Sequence, residues 1–362
     1  MTGHAENPRL IRVLVADDSA FMRTAITRMI ESDESLRVSG TARTGHEALE
    51  KIAALKPDVV TLDVEMPGLN GIETLKRVMK DFPRPVIMVS SLTQEGAETT
   101  LEALSLGAFD YVPKQQSFVS LDIVKIRDEL IAKIKAAAES GQRYLAPQAV
   151  KVMAPPARSY PRSADHVAAS VVALGTSTGG PKALQEILPM LPGDLPVGIL
   201  IVQHMPKGFT GPFARRLDGL CKVSVREAVQ QETIEPGVVY IAPAGQHMTV
   251  QRRTTSKVAI RLSPSPENLL HIPSVDVMML SVAEVFSAHC LGVIMTGMGA
   301  DGLQGMQAIA RGGGVTVGQD EATCTVFGMP RSCAESGVLQ RVVPLSQIPE
   351  QILGATHYHP RT

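Results

Sequence analysis

The strongest constraint on this chain is an alternation. Short runs of β-branched and apolar residues are separated by amphipathic stretches of helical period. In the first half, IRVLVAD, RVSGTA, VVTLD, PVIMVS and FDYVP read as five strands. Between the first two, AFMRTAITRMI places Phe21, Met22, Ala25, Ile26, Met29 and Ile30 on one helical face. A chain that alternates in this way builds a parallel sheet through crossover helices. The fold class is therefore α/β, with a doubly wound five-stranded parallel sheet covered on both faces.

The pattern breaks once. AAAESGQRYLAPQAVKVMAPPARSYPRSADH, from Ala136 to His166, is rich in Pro, Ala and Ser and reads as a linker after a last helix. Alternation resumes at Val171 with VVALG, VGILIVQ, VSVRE, VVYIAP, MTVQRR, AIRLS, LGVIMTG and GVTVGQD as strands. Helices are expected near Pro181–Met190, Val275–His289 and Gly302–Arg311. This predicts a second α/β domain with a mostly parallel sheet and a β-rich, antiparallel excursion in its middle. The division reads as a first domain over residues 8–128, a helix end and linker over 129–166, and a second domain over 167–354. A length of 362 residues suits two domains, and 44% hydrophobic residues lets each bury a core.

Charge and composition exclude several functions. A formal net charge of -1 supplies no bulk attraction to nucleic acid or an acidic membrane. The second half has no basic stripe and no compact helical module at its end, which argues against DNA binding. The start of the chain has no signal pattern, and runs such as Val197–Val202 fall far below the ~20 apolar residues of a membrane helix. The expectation is a soluble, cytoplasmic protein with no membrane insertion. Cys221, Cys290, Cys324 and Cys333 have no zinc-ligand spacing and are expected to be reduced, buried thiols.

In an open parallel sheet, sites form outside the carboxyl ends of the strands. In the first half, Asp17 and Asp18 end the first strand, Asp63 ends the third, Ser90 ends the fourth and Lys114 follows the fifth. Three carboxylates converging on one edge suit Mg²⁺. An aspartate screened in this way can attack a phosphoryl donor, with Lys114 offsetting the charge and Ser90 donating a hydrogen bond.

In the second half, VVALGTSTGGPKAL delivers Ser177 from a strand into a glycine-rich turn, with Pro181 near the start of a helix. Three readings stay open on this stretch: a nucleophile, an anion-binding loop and a structural turn. A nucleophile needs a base and an orienting carboxylate. His204 directly follows VGILIVQ, and Asp301 follows LGVIMTG. His247, His271 and His289 compete for the base, and Ser274 or Asp276 is placed to cap the next helix. GMGADG, Gly297–Gly302, with Asp320 at the end of the following strand, matches a dinucleotide fingerprint. Its position late in the domain and the acid at Asp301 count against that reading.

VLVADDSAFMR, VVTLDVEMPGLNG, MVSS and DYVPK together resemble the receiver domain of two-component response regulators, over residues 10–130. The resemblance implies Asp63 as phosphoacceptor. It also implies Mg²⁺ held by Asp18, Asp63 and the backbone carbonyl of Glu65, with Asp17 farther out, and Ser90 and Tyr111 as switch residues. Gln115 stands where receivers usually carry proline. LGTSTGGPKAL, IVQHMPKGFT, MTGMGADG and DEATCTVFGMP resemble the chemotaxis receptor methylesterase family over residues 168–352. That resemblance implies Ser177, His204 and Asp301 as catalytic residues and the N–H groups of Thr178 and Met298 as an oxyanion hole. Hydrolysis itself would need no cofactor. The implied activity is hydrolysis of glutamate methyl esters on chemoreceptors, releasing methanol, with deamidation of receptor glutamines. The implied partners are those receptors and a chemotaxis histidine kinase as phosphodonor, at a receptor array. A receiver driving a nucleotide-binding output is the alternative of another class.

Overall fold

A computed structural model of the protein describes residues 10–91, 93–114, 122–145, 167–255 and 257–359. The chain divides into two compact units, Met1–Gln148 and Ala149–Thr362.

The first unit runs β1 (Ile11–Ala16), α1 (Ala20–Glu31), β2 (Leu36–Ala42), α2 (Gly45–Leu55), β3 (Val59–Asp63), α3 (Gly71–Asp81), β4 (Val86–Ser91), α4 (Gln94–Ser105), β5 (Asp110–Lys114) and α5 (Asp122–Leu145). All pairings are parallel, in the order β2-β1-β3-β4-β5. Every residue of β3 is buried, as a central strand covered on both faces requires. Helix starts are set locally. Ser19, Thr44, Asn70 and Thr93 each accept a backbone N–H of the following turn, and Asn70 with Glu73 forms a reciprocal capping box. On α1 the expected apolar face is only partly covered, because Ile26 and Ile30 are buried but Phe21 is exposed. Helix α5 continues to Leu145, so the first ten residues of the stretch read as linker are helical. An Ala-rich sequence has the helix propensity to propagate this far. The rest of that stretch, 146–166, lies outside the described residues.

The second unit opens with β6 (Val171–Thr176), α6 (Gly180–Ile187), β7 (Gly198–Gln203), α7 (Thr210–Asp218), β8 (Ser224–Glu227) and β9 (Val238–Ile241). It continues with β10 (His247–Arg252), β11 (Val258–Ser263), α8 (Val275–Phe286), β12 (Cys290–Ile294), α9 (Leu303–Arg311), β13 (Val315–Gln319), α10 (Met329–Glu335), β14 (Arg341–Val343) and α11 (Ile348–Ala355). Seven strands form one parallel sheet in the order β14-β13-β12-β6-β7-β9-β8. The antiparallel excursion is a hairpin. Only β10 and β11 form it, while β8 and β9 join the parallel sheet.

Helix α8 lies against β6, β10 and α9. It buries Val275, Met278, Met279 and Val282 in a core shared with Met248, Val250 and Ile260 of the hairpin. That double covering explains why α8 is apolar over most of its surface. Strand order reverses at β6: β7 lies on one side and β12 on the other. The carboxyl edge of these three strands is therefore the switch point where sites form. None of the cysteines forms a disulfide. Cys290 and Cys333 are buried, whereas Cys221 and Cys324 are only half-buried. Burial pushes the Cys290 and Cys333 thiols up to about 12, so both stay protonated.

Candidate functional site

At the carboxyl edge of the seven-stranded sheet, Ser177 follows β6, His204 follows β7 and Asp301 lies in the loop after β12. The sharp turn at Ser177 is built by close contacts. Ser177 donates its N–H to the carbonyl of Thr296 at 3.0 Å, and Gly180 donates its N–H back to the Ser177 carbonyl at 2.8 Å. Gly179 caps α6 at φ 78°, and a side chain on Gly180 would collide with Gln203 and Thr176. A Cβ on Gly297 would sit 2.8 Å from the Ser177 Cβ. The loop after β12 therefore lies directly against the serine.

Asp301 and His204 are joined directly, Nε2 to Oδ2 at 2.8 Å. Their side chains are 8% and 13% exposed, so little water screens the pair. Asp301 accepts three further bonds. The Ser274 hydroxyl donates at 2.8 Å, and the N–H groups of Val275 and Asp276 donate at 2.8 and 3.0 Å. These belong to the first turn of α8, whose dipole favours an anion. Burial alone would raise the Asp301 carboxyl. The bond and charge of His204 and the two N–H groups outweigh it and hold the group well below the usual carboxylate range. Asp301 is thus an ionised acceptor, and the proton between the pair lies on His204 Nε2. The lone pair is then left on Nδ1, which is buried and has no hydrogen-bond partner. Among the described residues, no hydrogen bond yet joins the Ser177 hydroxyl to that nitrogen.

The other histidines have separate places. His271 stacks on His204, ring centroids 3.9 Å apart and 15° from parallel. His247 is buried, accepting from the Ser274 N–H at Nδ1 and meeting the Pro266 carbonyl at Nε2. His289 is exposed beside the Ala168 carbonyl. The Thr178 and Met298 N–H groups donate to no backbone acceptor among the described residues. The dinucleotide reading of GMGADG loses its basis. Asp301 turns from that loop onto the start of α8, and Asp320 is spent on a local turn, accepting from Thr323.

Several supporting residues escaped the sequence reading. Gln203 donates to the carbonyls of both Ser177 and His204, each at 3.0 Å, tying the two strand ends together. Thr296 donates its hydroxyl to the Thr178 carbonyl at 2.9 Å, and Thr176 donates to the Thr296 carbonyl at 2.9 Å. Their signal was a polar residue closing an apolar strand, the same signal that marked His204. Ser274 was anticipated only as a cap, which it is, through Val277.

The first unit gathers its acids as its strand ends require. Oxygens of Asp17, Asp18 and Asp63 lie within 4.8 Å of one another. Lys114 Nζ sits 2.6 Å from Asp63 and 3.2 Å from Asp17. One ammonium against three carboxylates leaves an excess of negative charge, which fits a hard divalent cation. Burial, aided by the charge of Asp17, outweighs Lys114 and raises the Asp63 carboxyl to about 6. Glu65 donates its N–H to Asp63 Oδ1 at 3.1 Å. Ser90 faces α4, donating to the Gly96 carbonyl and accepting from Thr100 at 2.7 Å. Tyr111 is buried, with Lys133 Nζ 5.2 Å from its ring centroid. Gln115 lies outside the described residues.

Comparison with known proteins agrees with both units. The chain matches the CheB methylesterase family over residues 172–352 and the response regulator receiver domain over 13–123. It is 46% identical over 369 residues to a protein-glutamate methylesterase/protein-glutamine glutaminase of Oleidesulfovibrio alaskensis, covering 96% of this chain and all of the relative. A protein of the same name from Pyrococcus horikoshii is 47% identical over 348 residues, 96% of this chain and 94% of its own. The crystal structure of the Thermotoga maritima CheB methylesterase catalytic domain superposes with a TM-score of 0.50 at 40% identity, covering 52% of this chain and 98% of that one. Among the described residues, no helix is long and apolar enough to cross a membrane.

Proposed function

The chain belongs to the CheB methylesterase family, with a response regulator receiver domain ahead of the esterase, and from that premise we propose that Ser177 is the nucleophile of a regulated acyl transfer. The activity is that of a protein-glutamate methylesterase and protein-glutamine glutaminase, a carboxylic ester hydrolase. The substrates are glutamate methyl esters and glutamines on chemoreceptors. One observation carries the assignment: His204 is bonded through Nε2 to an ionised carboxylate, which leaves a basic Nδ1 at the edge where Ser177 leaves its strand.

The reaction proceeds in two halves. Ser177 Oγ attacks the γ-carbonyl carbon as His204 Nδ1 takes the hydroxyl proton. The N–H groups of Thr178 and Met298 receive the oxyanion. Collapse of the tetrahedral intermediate breaks the bond to the methoxy oxygen, and His204 returns its proton to give methanol. Water then attacks the acyl-serine, with His204 again as base, and the glutamate carboxylate and free serine are released. A glutamine side chain follows the same course with ammonia as leaving group. Asp301 fixes the tautomer and offsets the imidazolium charge.

In the receiver, Asp63 is the phosphoacceptor, and a chemotaxis histidine kinase is the donor. Mg²⁺ would be held by Asp18, Asp63 and the Glu65 carbonyl, with Asp17 behind them, and would offset phosphoryl charge. Ser90 and Tyr111 respond to the phosphoryl group, and Lys114 pairs with it. The receiver restrains the esterase until Asp63 is phosphorylated, at cytoplasmic receptor arrays.

The test is methanol release from methylated receptor membranes, with and without a small phosphodonor and Mg²⁺. Release is expected to rise with phosphodonor, to vanish in Ser177→Ala and to lose its stimulation in Asp63→Asn. Removal of residues 1–140 is expected to raise basal release, and unchanged release would end the restraint model. No release from any receptor preparation, together with saturable nucleotide binding, would favour the nucleotide-binding output instead.

A further inference from the structure

The first turn of α8 has an unusual set of partners. A helix start leaves backbone N–H groups without intrahelical acceptors. In a capping box, the side chain three residues after the cap reaches back to the cap's own N–H. Here that position is Val277, which has no acceptor. The Ser274 N–H goes instead to Nδ1 of His247, on β10, at 3.1 Å. The next two N–H groups, of Val275 and Asp276, go to Asp301, and the Val277 N–H goes to the Ser274 hydroxyl at 3.4 Å. The same hydroxyl donates to Asp301 at 2.8 Å. One helix end is therefore shared between Asp301 and a buried histidine that touches neither Ser177 nor His204 by any hydrogen bond.

We infer that His247 is a positioning residue for the Ser177 site, holding Asp301 in place through Ser274. The geometry fixes its form. Nδ1 accepts from an N–H, so it carries the lone pair, and Nε2 carries the proton donated to the Pro266 carbonyl at 3.0 Å. His247 is 1% exposed, so no water replaces either partner if the ring is removed. Ser274 would then keep a buried N–H without an acceptor, and the first turn would shift to satisfy it. Asp301 takes three of its four bonds from that turn and would move with it, carrying the Nε2 end of His204. A small displacement at that point misdirects Nδ1, and misplacement on the ångström scale costs about a hundredfold in rate.

The inference rests on the acyl-transfer reading, and one experiment separates the two. Ester hydrolysis by the full chain is measured for His247→Leu, His247→Asn and His204→Gln, with the melting temperature of each. The low-field resonance of the His204–Asp301 proton is followed in parallel. His247→Leu is expected to lower kcat by about tenfold to a hundredfold with KM within about twofold, and to shift or broaden the resonance. His247→Asn, which places an acceptor oxygen where Nδ1 lies, is expected to recover most of both. Wild-type kcat in His247→Leu, a loss carried by KM, or no recovery in a stably folded His247→Asn overturns the inference. If His247→Leu does not fold, Ser274→Ala decides in its place, because it cuts the next link, and wild-type kcat there is equally fatal. Full activity in His204→Gln would instead overturn the acyl-transfer reading.

Discussion

Asp301 is the residue on which the proposed catalytic site turns, because its four hydrogen bonds tie two elements to one carboxylate. The bond to His204 sets where a proton resides, and that bond and charge, with the N–H groups of Val275 and Asp276, keep the group ionised, while Ser274 adds a further hydrogen bond. Asp301→Asn keeps the shape but not the charge, and its amide can donate where the carboxylate only accepted. The imidazole proton would then move to Nδ1, and the base facing Ser177 would be lost. A fall in kcat of about 10⁴ is expected, with the fold retained, by analogy with the same exchange in another triad. Steady-state kinetics on a methyl-ester substrate checks it, and a fall below tenfold would mean that Asp301 only builds structure. At this scale the sequence was informative about positions but not about atoms. Ser177, His204 and Asp301 could be singled out because each follows a legible strand, Ser177 and His204 directly and Asp301 in the loop beyond. Which nitrogen of His204 meets the acid could not be read, since it depends on how the loop after β12 folds onto α8. Gln203 and Thr296 stayed hidden for a related reason. Their bonds run to backbone carbonyls of other strands, and only the three-dimensional register brings these near.

Among the elements, the turn after β6 and the loop after β12 act as one piece. Gly297 has no side chain because the Met329 sulfur and the Ser177 Cβ together occupy the place where one would project, 2.3 and 2.8 Å from a Cβ there. Gly297→Ala must push either the serine or α10. Met329 is buried and has little room to give, so part of the displacement falls on Ser177. Loss of kcat by about a hundredfold is expected, with a small drop in melting temperature. An active, equally stable variant would show that the loop yields freely. The strands themselves were legible throughout the parallel sheets, because buried strands are continuous apolar runs. Two details were less legible. The hairpin of β10 and β11 and the parallel pair of β8 and β9 share one composition, and only pairing partners tell them apart. Strand β14 is three residues of an edge and carries no pattern. The end of α5 was misjudged because Ala and Ser residues serve helix and linker alike.

For the whole molecule, the buried Asp63 carboxyl of the receiver unit ties stability to pH. The group is buried and its carboxyl rises to about 6 from the ordinary 3.8. The native state therefore binds this proton more tightly than the unfolded chain does. Below pH 3.8 both states hold the proton, and the group costs nothing. Between 3.8 and about 6 the unfolded chain ionises first, so stability falls as pH rises. Above about 6 both are ionised, and the full penalty, on the order of 3 kcal/mol, remains. Asp63→Asn removes the charge and keeps the shape. The receiver transition of the full chain, followed by calorimetry, should then move to higher temperature at neutral pH and coincide with the parent near pH 4. A divalent cation should stabilise the parent at neutral pH more than the variant, because Asp63 supplies one of the three clustered carboxylates. A variant less stable than the parent at pH 7 would mean that the 2.6 Å pair with Lys114 outweighs burial. Asp63 would then be a structural anion, held too well to be spared for a phosphoryl group.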